Sequence, residues 1–129
     1  MTWTEDDIRR YLELYGEAMG AGDLPTIVSC WEVPALVLSD EGAHAVSTAT
    51  EIEQFFSAAV AWYHAQGLVT TRPVDVQIEA LGQRLISVDV RWPAFDASGA
   101  EKTSERSRYI LSVGEDGLPR IRVAISVTV

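Results

Sequence analysis

Apolar residues Ile8, Leu12, Tyr15 and Met19 recur at helical spacing, with Tyr11 beside them, while Arg9, Arg10, Glu13 and Glu17 fall on other faces. Thr4 and Asp7 have the spacing of a capping box, and Glu5, Asp6 and Asp7 suit the positive end of a helix. Gly20 and Gly22 are predicted to stop it. Asp23 can cap a second, short helix with Pro25 in its first turn, expected to run to about Trp31 and to be ended by Pro34. Ala35 to Ser39 and Ala43 to Thr48 then read as short strands around the turn Asp40-Glu41-Gly42. A third helix is expected to open at Thr50, with Ile52, Phe55, Phe56, Ala59, Trp62, Tyr63 and Gln66 on one broad face and Gly67 at its close.

After Gly67 the period falls from about 3.6 to 2. Val74, Val76, Ile78 and Ala80 alternate with Asp75, Gln77 and Glu79; Ile86, Val88, Val90 and Trp92 alternate with Ser87, Asp89 and Arg91. Asp96-Ala97-Ser98-Gly99 turns into a strand from about Glu101 to Val113. Gly114-Glu115-Asp116-Gly117 turns again into Ile121, Val123, Ile125, Val127 and Val129. Helices gathered on one side of an antiparallel sheet make an α+β domain, and nothing along the chain reads as a linker or repeat, so residues 1–129 are taken as one domain.

Composition narrows the function classes. The net charge of -9, from 10 basic and 19 acidic residues, argues against nucleic acid, which needs clustered cations. Lys102 alone cannot make a membrane-binding patch, and no apolar run approaches the roughly 20 residues of a membrane-spanning helix. The acidic start Met-Thr-Trp-Thr-Glu-Asp-Asp has no signal-peptide pattern, so a cytoplasmic place is expected. A single cysteine, Cys30, excludes an internal disulfide, and it has no basic neighbour in sequence to activate it as a nucleophile. His44 and His64 share no metal-ligand spacing, and no phosphate-binding glycine loop or nucleophile elbow occurs. No metal or cofactor is expected. His64 reads as a surface or interface histidine.

The first helix ends in Tyr15-Gly16-Glu17-Ala18-Met19-Gly20-Ala21-Gly22-Asp23-Leu24. A short helix closing on the aromatic Trp31 follows, then a hairpin with Gly42 and an amphipathic helix over Glu51–Gln66. In that order and spacing the chain resembles the nuclear transport factor 2-like, or SnoaL-like, superfamily, most closely its uncharacterised bacterial members. The resemblance implies a cone: a bent sheet wrapped around helices, with an apolar pocket at the open end and a homodimer through the outer sheet face. That superfamily holds isomerases, dehydratases, cyclases and binding domains, so the fold does not choose among them.

Carried over from the ketosteroid isomerases of that superfamily, the oxyanion-holding tyrosine falls on Tyr15, and a second donor falls at about Tyr109. The base aspartate falls on Ser39, whose neutral hydroxyl cannot replace a carboxylate. Asp40, one residue later, could serve only with a one-residue strand shift, since alternation otherwise sends it to the opposite face. The candidate catalytic set is Tyr15, Asp40 and Tyr109. The candidate ligand-binding set is Trp31, Ser39, Phe55, Trp62, Tyr63 and Trp92, with Phe95 as a further aromatic of the cone. Asp89 and Arg91 on one strand, with Arg106 and Arg108 on the next, read as a solvated outer face or a dimer interface. Three functional readings stand: a small-molecule binding domain without an established reaction, an acid/base isomerase, dehydratase or cyclase, or a non-catalytic dimeric interaction module with a plugged cone.

Overall fold

The Thr4 hydroxyl accepts from the Asp7 amide at 3.1 Å while the Asp7 carboxylate accepts from the Thr4 amide at 2.9 Å. This reciprocal cap starts α1 (Glu5–Ala21), and Gly22, left-handed at φ 72°, ends it. Gly20 lies inside the helix, not at its stop. The computed structural model describes residues 3–127, so the expected strand position of Val129 lies outside the described residues.

Asp23 caps α2 (Leu24–Ser29), which is shorter than the pattern suggests. Trp31 and Pro34 belong instead to β1 (Trp31–Ser39). The Cys30 carbonyl accepts from the Ile121 amide at 2.8 Å, drawing the chain into a parallel pairing at Trp31. Pro34 is tolerated because the register shifts between Trp31 and Leu36, where no amide donor is required. β2 (Gly42–Val46) returns antiparallel after the expected turn, with Ser39 opposite Gly42. α3 (Ala49–Ala65) is capped by Thr48, whose hydroxyl accepts from the Glu51 amide at 3.2 Å, two residues ahead of the expected Thr50.

The remaining strands are β3 (Leu68–Thr71), β4 (Val74–Ala80), β5 (Leu85–Asp96), β6 (Glu101–Val113) and β7 (Pro119–Val127). They form one curved sheet in the order β2-β1-β7-β6-β5-β3, and β4 pairs the first half of β5. All pairs are antiparallel except β1 with β7. β3, absent from the alternation pattern, pairs the far end of β5 at Ala94–Asp96. Asp75, at φ 53°, marks the bulge between the Val74 and Gln77 registers of β4.

The core lies between α1 and the inner sheet face. Ile8 and Leu12 are fully buried in one cluster with Ile86, Val88, Val90, Leu111 and Ile121. Each such side chain contributes about 1.5–3 kcal/mol on burial. α3 buries only Ile52 completely. The cone therefore has one firmly anchored wall, α1, and one lightly anchored wall, α3. Among the described residues no helix is long and apolar enough to cross a membrane.

Candidate functional site

Alternation along the inner strands aims Val37, Trp92, Tyr109 and Ala124 at the space between the two helices, since Val37 faces Ala124 across β1–β7 and Ala124 faces Tyr109 across β7–β6. There they enclose, with α1 and α3, a cavity of about 340 Å³. That volume lies in the lower part of the ligand-pocket range of roughly 300–1,000 Å³. The aromatics leave room inside, so the cone is not plugged by its own side chains.

The cavity has a buried floor and an exposed rim. Tyr15, Trp31, Trp92 and Tyr109 form the floor, all buried. The Tyr15 ring stands edge-on to Trp92 at 6.1 Å and to Tyr109 at 6.3 Å. Trp31 Nε1 donates to the Tyr15 hydroxyl at 3.2 Å, and Trp92 Nε1 donates to the Tyr109 hydroxyl at 2.9 Å. An indole can only donate, so each phenol oxygen is held as an acceptor and keeps its own O–H proton to give. The Tyr109 hydroxyl also has a side-chain hydrogen bond with Ser107, which lines the same cavity. Tyr11 differs, because its hydroxyl donates to the Cys30 carbonyl at 2.6 Å and serves the α1–α2 junction.

Burial keeps both floor phenols protonated. It pushes the Tyr109 hydroxyl up to about 12, and it lifts Tyr15 well above its ordinary value, with Tyr109 adding to the rise. Both phenols are therefore neutral at physiological pH. Burial likewise pushes the Cys30 thiol up to about 11, which withholds the thiolate a nucleophile requires.

At the rim, Phe55 and Trp62 of α3 are 50% and 56% exposed, with the half-buried Tyr63 between them and the strands. Trp31, Phe55, Trp62, Tyr63 and Trp92 thus come together around one space with Tyr15 and Tyr109. Ser39 and Asp40 do not. Both are exposed at the β1–β2 turn and absent from the cavity wall. Ser39 has the parity of Val37, but it is the last residue of β1, past the cavity's edge; Asp40 has already left the strand for the two-residue turn. No strand shift carries Asp40 inward, because Ser39 pairs squarely with Gly42. Phe95 is also elsewhere, buried with the Arg72 guanidinium 4.5 Å above its ring. His64 is exposed, with Nε2 3.0 Å from the Gly20 carbonyl, tying α3 to α1. His44 is exposed on β2, and no metal-binding cluster occurs among the described residues.

The structure adds polar groups that the sequence pattern did not single out: Glu105, Ser107, Ser126 and Thr71 line the cavity. Thr71 is committed elsewhere, its hydroxyl donating to the Pro93 carbonyl at 2.7 Å. Glu105 and Ser107 share the inward parity of Tyr109 on β6. The signal was present, since residues two and four before an inward tyrosine face inward too. Arg106 and Arg108 lie on the opposite face. That outer face is a charge ladder: Arg108 makes two hydrogen bonds to Asp89, at 2.8 and 3.0 Å, and Arg91 reaches Asp75 and Glu101.

A family described as NTF2-like protein (DUF6841) matches residues 5–129. Among curated proteins no sequence matches the chain. Solved structures share the fold at low identity. A domain of unknown function with a cystatin-like fold from Nostoc punctiforme has a TM-score of 0.73 at 19% identity, covering 98% of this chain and 78% of that one. A second cystatin-like protein of unknown function from that organism has a TM-score of 0.76 at 9% identity, with coverages of 98% and 93%. A candidate ketosteroid isomerase from Shewanella frigidimarina has a TM-score of 0.70 at 14% identity, with 92% of each chain covered.

Proposed function

The chain belongs to the NTF2-like family, and from that premise we propose that its cone binds a small, largely apolar molecule bearing an acceptor oxygen. One observation carries the reading: two buried phenols, each accepting from an indole, place their hydroxyls at the floor of an aromatic cavity, with the Ser107 hydroxyl beside Tyr109. A ketone, ester or enol oxygen on a one- or two-ring body suits that space and those donors. Binding is preferred over proton-transfer chemistry because the buried floor holds donors, while the carboxylate that the described residues bring to the wall, Glu105, is exposed at the rim. The base required by an isomerase has no counterpart at Ser39 or Asp40.

The test is a matched pair of probes followed by tryptophan fluorescence, acetylnaphthalene against ethylnaphthalene, which differ by a carbonyl oxygen. A net hydrogen bond contributes about 0.5–1.5 kcal/mol, so the ketone is expected to bind roughly three- to tenfold more tightly. The Tyr15→Phe/Tyr109→Phe double variant should bind the two probes equally. Equal affinities in the unmodified protein, or a preference that survives the double substitution, would refute the reading.

The outer sheet face supports pairing with a second copy. Leu36, Val123 and Ile110 lie in register across β1, β7 and β6 on the side away from the cavity, each only partly buried. The Arg108–Asp89 pair borders this stripe and offers each copy both charges for a two-fold partner. Native mass spectrometry is expected to show a species at twice the chain mass, and Val123→Glu should return it to one. A monomer at micromolar concentration would remove this part of the proposal. The lone, buried thiol agrees with a reducing, cytoplasmic setting.

A further inference from the structure

Every charge that the described residues bring to the cavity wall comes from one side chain. Among the described residues that line it, Glu105 is the only acid or base that carries a formal charge at neutral pH; no lysine, arginine or histidine joins it. Its position is fixed by the pairing of β6 with β5, where it stands opposite Trp92. Trp92 is on the floor, whereas Glu105 is exposed, so this carboxylate stands at the rim. On the α3 wall of the same cavity stand the exposed Phe55 and Trp62, seven residues apart and therefore on one side of the helix. Each is set edge-on to its neighbour, Phe56 at 5.1 Å and Tyr63 at 6.0 Å.

Glu105, like Glu79 on β4, stands apart from the ion-paired carboxylates of this sheet. Asp75, Asp89, Asp96 and Glu101 each meet an arginine or lysine within 4 Å. Glu105 has no such ion pair among the described residues. Its neighbour Arg106 points to the outer face by strand alternation. A carboxylate beside exposed aromatic rings is the arrangement that attracts an organic cation: the charge supplies the ion pair and the ring faces add cation–π attraction. The net charge of -9 favours approach of a cation over the whole surface. An anionic ligand would meet repulsion from Glu105 at the cavity wall.

We propose that the cavity selects a cationic amine or quaternary ammonium compound, its apolar body inside the cone and its cationic head at the rim between Glu105 and the Phe55 and Trp62 rings. This rests on the reading of the cone as a binding cavity and adds the charge class of its ligand. The electrostatic reach of Glu105 agrees, since it helps to raise the hydroxyl of Tyr63 on α3 as well as that of Tyr109 on its own strand.

Calorimetric or fluorescence titration with three probes tests it: benzyltrimethylammonium, its neutral carbon isostere neopentylbenzene, and the anion phenylacetate. The ammonium is expected to bind on the order of tenfold more tightly than the isostere, and phenylacetate more weakly than either. Glu105→Gln should cut the ammonium's advantage to about threefold or less, the part left to the rings, and leave neopentylbenzene unchanged. If the ammonium and the isostere bind equally, the cation proposal fails while the apolar cavity stands. If neither binds, the cation proposal fails, and the acetylnaphthalene titration decides separately whether the cavity binds a neutral acceptor. An advantage undiminished in Glu105→Gln also overturns the proposal, because the carboxylate would then have no part in selection.

Discussion

Urea unfolding of the Trp92→Ala variant is expected to show a loss of about 3–5 kcal/mol, the cost typical of removing a buried tryptophan. Trp92 is 3% exposed and performs three jobs at once. Its ring packs edge-on to Tyr15 at 6.1 Å, its Nε1 donates to Tyr109 at 2.9 Å, and its Cζ3 fills the notch left by the missing side chain of Gly16. Alanine empties the floor and leaves the Tyr109 oxygen without its indole donor. Since domains of this kind are stable by about 5–15 kcal/mol, the variant would sit near the edge of folding. Trp92→Phe separates the contributions: it keeps most of the ring but drops the hydrogen bond and some volume, so a loss of about 1–2 kcal/mol is expected. A Trp92→Ala loss below about 1 kcal/mol would mean that the floor is not a packed unit, and the placement of both phenols would lose its support.

The fold was legible wherever one local period ran unbroken. α1, α3 and strands β4 to β7 each combine a repeat with a marked end, such as the Thr4–Asp7 cap or the turn at Asp96–Gly99. What escaped was decided by long-range pairing. Trp31 and Pro34 looked like the end of a helix because proline is a local breaker; a parallel partner 90 residues away, Ile121, makes that segment a strand. β3 is four residues long and too short to show alternation, and only the far end of β5 gives it a partner.

The site shows the same division. Tyr15 and the aromatic face of α3 could be read from helical spacing. Whether Asp40 or Glu105 is the carboxylate of the cavity depended on where a hairpin ends relative to the cone. Strand parity puts Glu105 on the inner face, but parity is silent about how deep a strand position lies. Ser39 shows this: its parity is right and its depth is wrong.

Gly20 supplies the second large prediction, because its role reverses between sequence and structure. As a left-handed helix stop, it would cost about 1–2 kcal/mol to replace by alanine. Inside α1 it should gain about 1 kcal/mol on mutation to alanine from helix propensity alone, as should Gly16. Packing opposes that gain. A Cβ at Gly20 would lie 2.9 Å from the Val69 carbonyl oxygen and 3.2 Å from the Thr70 Cα, both backbone atoms of β3. A Cβ at Gly16 would lie 2.9 Å from the buried Trp92 ring and 3.4 Å from the Thr71 carbonyl oxygen. Neither neighbour is the loose end of a flexible chain, so α1 itself must lift from β3. Overpacking of this kind costs about 1–3 kcal/mol at each site. The Gly16→Ala/Gly20→Ala variant is therefore expected to lose about 2 kcal/mol net in urea unfolding, where propensity alone predicts a gain of about that size. Gly82→Ala is the control, since its Cβ would meet nothing within 4 Å and should change stability by less than about 0.5 kcal/mol. A double variant as stable as the parent would show that α1 does not rest on β3 as described. The consequence reaches the cavity, because Tyr15 and Met19 line it from the same helix. A lifted α1 carries the Tyr15 hydroxyl away from Trp31 Nε1, so the preference for the ketone probe should shrink along with the stability.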